Sequence, residues 1–284
     1  VNRWKMINEG GVRRWIIKCR LTPRGYADKQ KNDLHTTSPT ASRVAQRLLV
    51  SICSLFGFDL ESLDVSAAFL QGEPLATVTT REGEPRMAAM VPPADAWDLL
   101  PSGVRALIPD VPWSRLAWEL KKSVYGLCDA PLLWVTHFFK WITQTPIDVM
   151  VNGVWEQAYW FNSVYDESTF FLRNSLNKLL GMCTVHVDDA GLGAPKPIVD
   201  QMAEKATARF GKVKRQSKDF QHVGHDYLAH DDGSYSTSQR TYLRVQKPEP
   251  IRARLTEALG TEGQSVWRSI MGTLRYAGQT RAEK

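Results

Sequence analysis

LLGMCTVHVDDAGLG, residues 179–193, decides how the rest of the chain is read. Leu179 to Val187 is a nearly uncharged apolar run, the pattern of a buried strand, and Asp188-Asp189 then turns the chain into a short return strand. Two adjacent carboxylates at the end of an apolar strand repel each other and are costly to leave beside a core. A divalent cation removes that cost, and hard oxygen ligands suit Mg²⁺. FDLESLDVSAAFL, residues 58–70, is a second strand candidate, with Leu63 and Val65 flanking Asp64. That carboxylate could supply the remaining ligand. Two metals bridged in this way activate a 3′-hydroxyl and stabilise a leaving pyrophosphate. Asp-Asp-x-Gly is also ordinary turn chemistry, and for the dipeptide alone the turn is the better reading, because such turns are common.

Outward from these strands, secondary structure alternates without a regular βαβ repeat, which makes the fold class α+β. Residues 12–22 read as a strand with basic residues on one face. Ser38-Pro39 reads as the start of an amphipathic helix that places Val44, Leu48, Ile52 and Leu55 or Phe56 on one face and ends at Gly57. Residues 73–117, rich in Pro and Gly, read as irregular loops with a strand or two. A helix from Asp129 runs through Trp134, Phe138, Trp141 and Ile142. Another runs through Ile198, Met202, Ala206 and Phe210 to Gly211. Residues 221–238 read as a hairpin turning at Asp231-Asp232-Gly233, and a last helix from Ser265 buries Trp267, Ile270, Met271 and Leu274.

Charge is unevenly spread over the 284 residues. Residues 1–50 hold 11 Lys/Arg against 3 Asp/Glu, residues 51–195 hold 9 against 17, and residues 196–254 hold 12 against 7. Basic outer segments around an acidic middle fit a protein that grips a phosphate backbone and binds cations centrally, although solvated faces would give the same tally. Cys19, Cys53, Cys128 and Cys183 lie far apart, without a zinc or redox spacing, and read as thiols of a reducing compartment. No apolar stretch is long enough to span a bilayer and no signal peptide is visible, so an intracellular, cytoplasmic setting is expected. The chain begins with Val1, which suggests a piece of a longer polyprotein or an incomplete gene.

Seven segments occur in one order: KCRLTPRGY (18–26), SPTASRVAQRLL (38–49), LDVSAAFLQG (63–72), LKKSVYGLCDAP (120–131), DESTFFLR (166–173), VHVDDAG (185–191) and SQRTYL (238–243). WRSIMGTLRYAGQTR (267–281) closes the series. Together they resemble the reverse transcriptase of copia-type LTR retrotransposons over nearly the whole chain. The resemblance implies a right-hand polymerase fold. Its fingers would begin in 1–57, with a palm strand in 58–72, further fingers or an insertion in 73–128, palm in 129–235, and the start of a thumb in 236–284. It implies an RNA-directed DNA polymerase that uses two Mg²⁺ ions (Mn²⁺ is possible), deoxynucleoside triphosphates and a DNA primer on an RNA or DNA template. Asp64, Asp188 and Asp189 would be the catalytic carboxylates, with the Val65 carbonyl a further metal ligand. Phe69 would exclude a 2′-hydroxyl. Lys18, Arg20 and Arg24 would meet the triphosphate.

Four positions, Cys128, Asp129, His186 and Pro23, depart from the family pattern. YGLKQAP is YGLCDAP here, which puts Asp129 where a nucleotide- or template-contacting Gln is expected, unless it simply caps the following helix. His186 replaces a Tyr near the primer terminus. Pro23 interrupts the basic strand. A catalytically silent relic that keeps the fold and binds nucleic acid is the alternative; an enzyme acting on small phosphorylated molecules would leave the basic flanks without a partner. His222, His225, Asp226, His230 and Asp231 invite a zinc reading, but on one strand residues 222 and 225 would face opposite sides, so a surface hairpin is expected.

Overall fold

A computed structural model of the chain describes residues 2–9, 12–19, 21–108, 110–245 and 260–278. The fold is α+β, and its sheets are antiparallel. β1 (Asn2–Glu9) and β2 (Val12–Cys19) form a hairpin whose register sets Lys18 opposite Arg3. Helix α1 (Arg43–Phe56) leads into β3 (Asp59–Val65). Among its described residues, the irregular segment that follows holds β4 (Ala89–Met90), the one-turn α2 (Ser102–Arg105) and β5 (Trp118–Glu119), with short 3₁₀ turns between them. Helix α3 (Ala130–Gln144) precedes the hairpin of β6 (Ile147–Val151) and β7 (Val154–Ala158). Then come β8 (Trp160–Asn162), β9 (Thr169–Arg173), β10 (Leu179–His186), β11 (Asp189–Ala194), α4 (Lys196–Phe210) and β12 (Val213–Ser217). A three-stranded sheet of β13 (Asp219–His222), β14 (His225–Ala229) and β15 (Tyr235–Ser238) precedes α5 (Arg240–Val245) and α6 (Thr261–Gly278).

The central sheet has the order β12-β3-β11-β10-β9-β8. Strand side chains alternate between its faces. Leu63 and Val65 of β3, with Val185 and Leu192, pack against Trp134 and Phe138 of α3 and Met202 of α4. Leu60 and Met182 point the other way, into a core shared with Leu49 and Cys53 of α1 and with Phe220 and Tyr227 of the small sheet. The strands that carry the acidic residues are therefore covered on both faces, which is why LLGMCTVHV lacks a polar/apolar alternation. Burial also pushes the thiols of Cys53 and Cys183 up to about 12, so both stay protonated.

Several local expectations need correction. The cap of α1 is Ser42, whose hydroxyl accepts from Ala45 N, because residues up to Ala41 are held extended along β10. Thr40 bridges His186, and Ala41 N–H donates to Val185 O. The buried face of α1 is Ala45, Leu49, Ile52 and Cys53, whereas Val44, Leu48, Leu55 and Phe56 are exposed. The small residues win because α1 lies almost on the sheet. A Cβ on Gly193 would sit 2.3 Å from Cys53 Sγ, and one on Gly191 would sit 3.0 Å from Leu49 Cδ2. The glycines of DDAGLG therefore make room for a helix rather than for a turn. Helix α6 starts at Thr261, and Trp267, Met271 and Leu274 are exposed, with Ile270 half-buried.

The 221–238 region has the expected turn at Asp231–Gly233 but also an earlier one at Val223-Gly224, where both residues have positive φ. That turn sets His222 directly opposite His225, so they share a face instead of opposing each other, and both are buried. One face of the hairpin, with Phe220, His222, His225 and Tyr227, packs into the core, while Gln221, Leu228 and the turn from His230 to Gly233 lie at the surface. His222 Nδ1 lies 2.9 Å from Ser62 Oγ, and His225 Nε2 lies 3.1 Å from Arg43 Nη1, partners that occupy the rings without a metal.

His222 makes stability depend on pH. Burial, with His186 and His225 nearby, lowers its pKa from 6.5 to about 4. The folded ring stays neutral while the unfolded one protonates, so its contribution is complete above pH 6.5 and declines as pH falls towards 4. The shift corresponds to about 3 kcal/mol. Denaturant titration at pH 7 and pH 4.5 should show this loss in the wild type, and a smaller loss in His222→Gln. An unchanged pH difference would remove the ring from the account.

Candidate active site

The hairpin joining β10 to β11 pairs His186 with Asp189 around a two-residue loop, Val187-Asp188. Only Val187 has a positive φ, 59°, the pattern of a II′-type turn, whose first loop position favours glycine. A β-branched residue there carries strain of about 1–3 kcal/mol and is held by its surroundings. The holding contact is visible: Trp134 Nε1 of α3 donates to Val187 O at 2.8 Å. The indole is 1% exposed, and its ring packs edge-on against Phe210, with centroids 5.2 Å apart.

β11 and β3 are paired so that Asp189 stands directly opposite Asp64, and β12 sets Lys214 opposite Asp64 on the other side. One row therefore crosses four strands: His186, Asp189, Asp64, Lys214. Directly opposed residues share a sheet face, here the face covered by α1. Burial, then the charges of Asp188 and Asp64, push Asp189 up to about 6, while Lys214 opposes the rise. Burial and Arg43 hold His186 below its ordinary value against the pull of Asp188, so the ring is neutral at pH 7. Asp189 thus responds to both other carboxylates, as its place opposite Asp64 and beside Asp188 requires.

Among the described residues no three His, Cys, Asp or Glu side chains form a ready cage for a metal ion. The donor chemistry nonetheless fits Mg²⁺, which is commonly held by one or two carboxylates with water and substrate phosphates completing the shell. Asp64, Asp188 and Asp189 are the side chains that could hold it, together with the carbonyl of Val65, the last residue of β3.

The other expected residues lie as follows. Phe69 is in a 3₁₀ turn after β3, half-buried, with its ring centroid 4.7 Å from that of Tyr125. Ser123 Oγ donates to Phe69 O at 2.7 Å, so the VYGL segment is fastened beside the phenyl ring. Gly126, at φ 111°, and Gly25 touch backbone to backbone: a Cβ on Gly25 would lie 2.0 Å from Gly126 O. Arg24, the residue before Gly25, is exposed. Lys18 lies in β2, and Arg20 and the closing Thr280-Arg281 lie outside the described residues. Asp129 does not cap α3 with its side chain. It is 2% exposed, and its oxygens accept from Arg86 Nε at 2.8 Å and Nη2 at 3.3 Å. Cys128 is exposed, and its Sγ lies 3.7 Å from Gly25 O.

Three contributors escaped the sequence reading. Lys214 belongs to no motif, the helical spacing of Trp134 carries no sign of its hydrogen bond to Val187 O, and Arg86 sits 43 residues from its partner in an irregular segment. Comparison with protein-family models, curated proteins and solved structures gives no match for this chain. Among the described residues no helix is long and apolar enough to cross a membrane.

Proposed function

We propose that the chain is the polymerase region of a copia-type reverse transcriptase, an RNA-directed DNA polymerase of the right-hand kind. The observation that carries this reading is the direct opposition of Asp189 and Asp64, with Asp188 in the adjoining turn. It sets carboxylates from two of the family-like motifs on neighbouring strand ends. The antiparallel central sheet would be the palm, the segments around Arg24 and Arg86 the fingers, and α6 the start of the thumb.

Asp64, Asp188 and the Val65 carbonyl would hold Mg²⁺, and Asp189 would complete the acidic face. When bound, the ions would lower the pKa of the primer 3′-hydroxyl and balance charge on the leaving pyrophosphate. Phe69, braced by Tyr125, would lie under the incoming sugar, where a 2′-hydroxyl collides with the ring. Arg24 and Lys18 would neutralise the triphosphate. Neutral His186 would sit beside the primer terminus without adding charge.

The test is extension of a DNA primer on an RNA template with deoxynucleoside triphosphates and Mg²⁺. Incorporation that requires the divalent ion supports the reading. Salt-sensitive binding without incorporation would instead make the chain a silent relic. Phe69→Ala should admit ribonucleotides, raising their use relative to deoxynucleotides by about ten- to a hundredfold, the scale of one lost steric contact. Unchanged discrimination in single-nucleotide incorporation would remove the role of the ring.

A further inference from the structure

Arg86 is the largest charged side chain fully withdrawn from solvent among the described residues: its side chain is 0% exposed, and those of Asp28 and Asp129 are 9% and 3%. The guanidinium joins three distant segments. Nη2 donates to Asp28 Oδ2 at 2.5 Å and Nη1 to Asp28 Oδ1 at 3.3 Å, a two-point grip. Nε and Nη2 take both oxygens of Asp129, at the start of α3. Nη1 also donates to Gln30 Oε1 at 3.1 Å and to Met87 O at 2.9 Å. Gln30 returns the contact by donating Nε2–H to Pro85 O and accepting from Met87 N–H.

Two carboxylates around one guanidinium are not there for net stabilisation alone, because burying such a group forfeits hydration that an apolar cluster would not. Its geometry gives it a task. Asp28 and Gln30 follow Arg24 by four and six residues, in the segment whose Gly25 is pressed against Gly126. Gly126 adjoins Tyr125, the ring braced on Phe69. Arg24, Asp28, Gln30 and Met87 together line a groove of about 820 Å³. The same cluster ends on Asp129, and α3 runs from there to Trp134 and so to Val187 O.

We infer that Asp28, Arg86 and Asp129 form a buried ionic clasp that holds the Arg24 segment against the start of α3. Arg86 is thereby a positioning residue for Arg24, and Asp129 is its anchor rather than a nucleotide ligand. The acid that stands in place of the family's Gln does not face a triphosphate: its charge is answered from the irregular segment by Arg86. The clasp itself rests on geometry alone; its effect on nucleotide use rests on the polymerase reading.

Arg86→Lys tests both, since it keeps the charge and loses the planar fork. Hydrogen exchange is read at Ala27, Asp28, Lys31 and Asp33, whose amides donate to Arg24 O, Gly25 O, Asp28 O and Gln30 O. Exchange there should accelerate about tenfold or more, with β10 and α1 unchanged. No acceleration, or equal acceleration throughout the chain, overturns the clasp. Should Arg86→Lys fail to fold, Asp129→Asn, which spares the Asp28 grip, is read in the same way. In primer extension Arg86→Lys should raise KM for the deoxynucleotide about tenfold with kcat within about twofold, and should add nothing in an Arg24→Ala background. A kcat defect without a KM change, or full additivity with Arg24→Ala, overturns the positioning role. A wild type that incorporates no nucleotide defeats the polymerase reading and leaves the exchange result to decide the clasp.

Discussion

Asp188→Asn is expected to lower RNA-templated primer extension by at least about a thousandfold, three tenfold steps of about 1.4 kcal/mol each in transition-state stabilisation. The amide keeps the size and hydrogen-bonding capacity needed in the loop between His186 and Asp189, so the hairpin should survive. What it removes is a full negative charge at the point where a divalent ion would be held. Asp189, currently pushed up by burial and by both neighbouring carboxylates, loses one of them and becomes easier to ionise. Primer–template affinity should stay within about twofold, because it comes from basic side chains and phosphates. The two measurements are gel-resolved extension and filter binding over a salt series. Extension equal to wild type would end the catalytic assignment.

Trp134→Ala should cost about 3–5 kcal/mol of stability, the range for removing a large aromatic from a core. The indole is 1% exposed and wedged between Phe138 and Phe210, so little around it can collapse into the space. Trp134→Phe separates packing from hydrogen bonding. It keeps a ring but withdraws the donor from Val187 O, at a cost of about 1 kcal/mol. With that contact gone the strained φ of Val187 is no longer held, and extension activity should fall by more than the fraction unfolded explains. Urea titration of the three proteins, alongside extension rates scaled to folded protein, provides the check. A Trp134→Phe enzyme with wild-type rates would confine the indole to packing.

Much of the site could be read from residue types because its logic is local. Asp64 and Asp188-Asp189 sit at the ends of apolar strands, a placement that residue types alone predict, whereas the expectation that they act together comes from the family-like segments around them. What stayed hidden depended on contacts between remote segments. Helix α1 is apolar on more than one side, and only the bare backbone at Gly191 and Gly193 selects Ala45 and Cys53 over Val44 and Leu48. The Val223-Gly224 turn puts a β-branched residue at φ 47°, against turn propensity, so the pairing of His222 with His225 had no local signal. Asp129 could be seen as a departure but not as a partner, since Arg86 lies in a stretch without periodicity.

The backbone contact between Gly25 and Gly126 has a kinetic side. It closes a loop of 101 residues, the difference of the two positions, which contains α1, β3 and the whole irregular segment. Chain entropy charges about 4 kcal/mol for such a closure before any contact is gained. Neighbouring strands such as β10 and β11 zip at far smaller separation. Bringing Asp64 opposite Asp189 closes 125 residues, the difference of those two positions, so loop entropy favours the local zipping of the β10–β11 hairpin over both the meeting of the carboxylates and the closing of the wall beside Phe69.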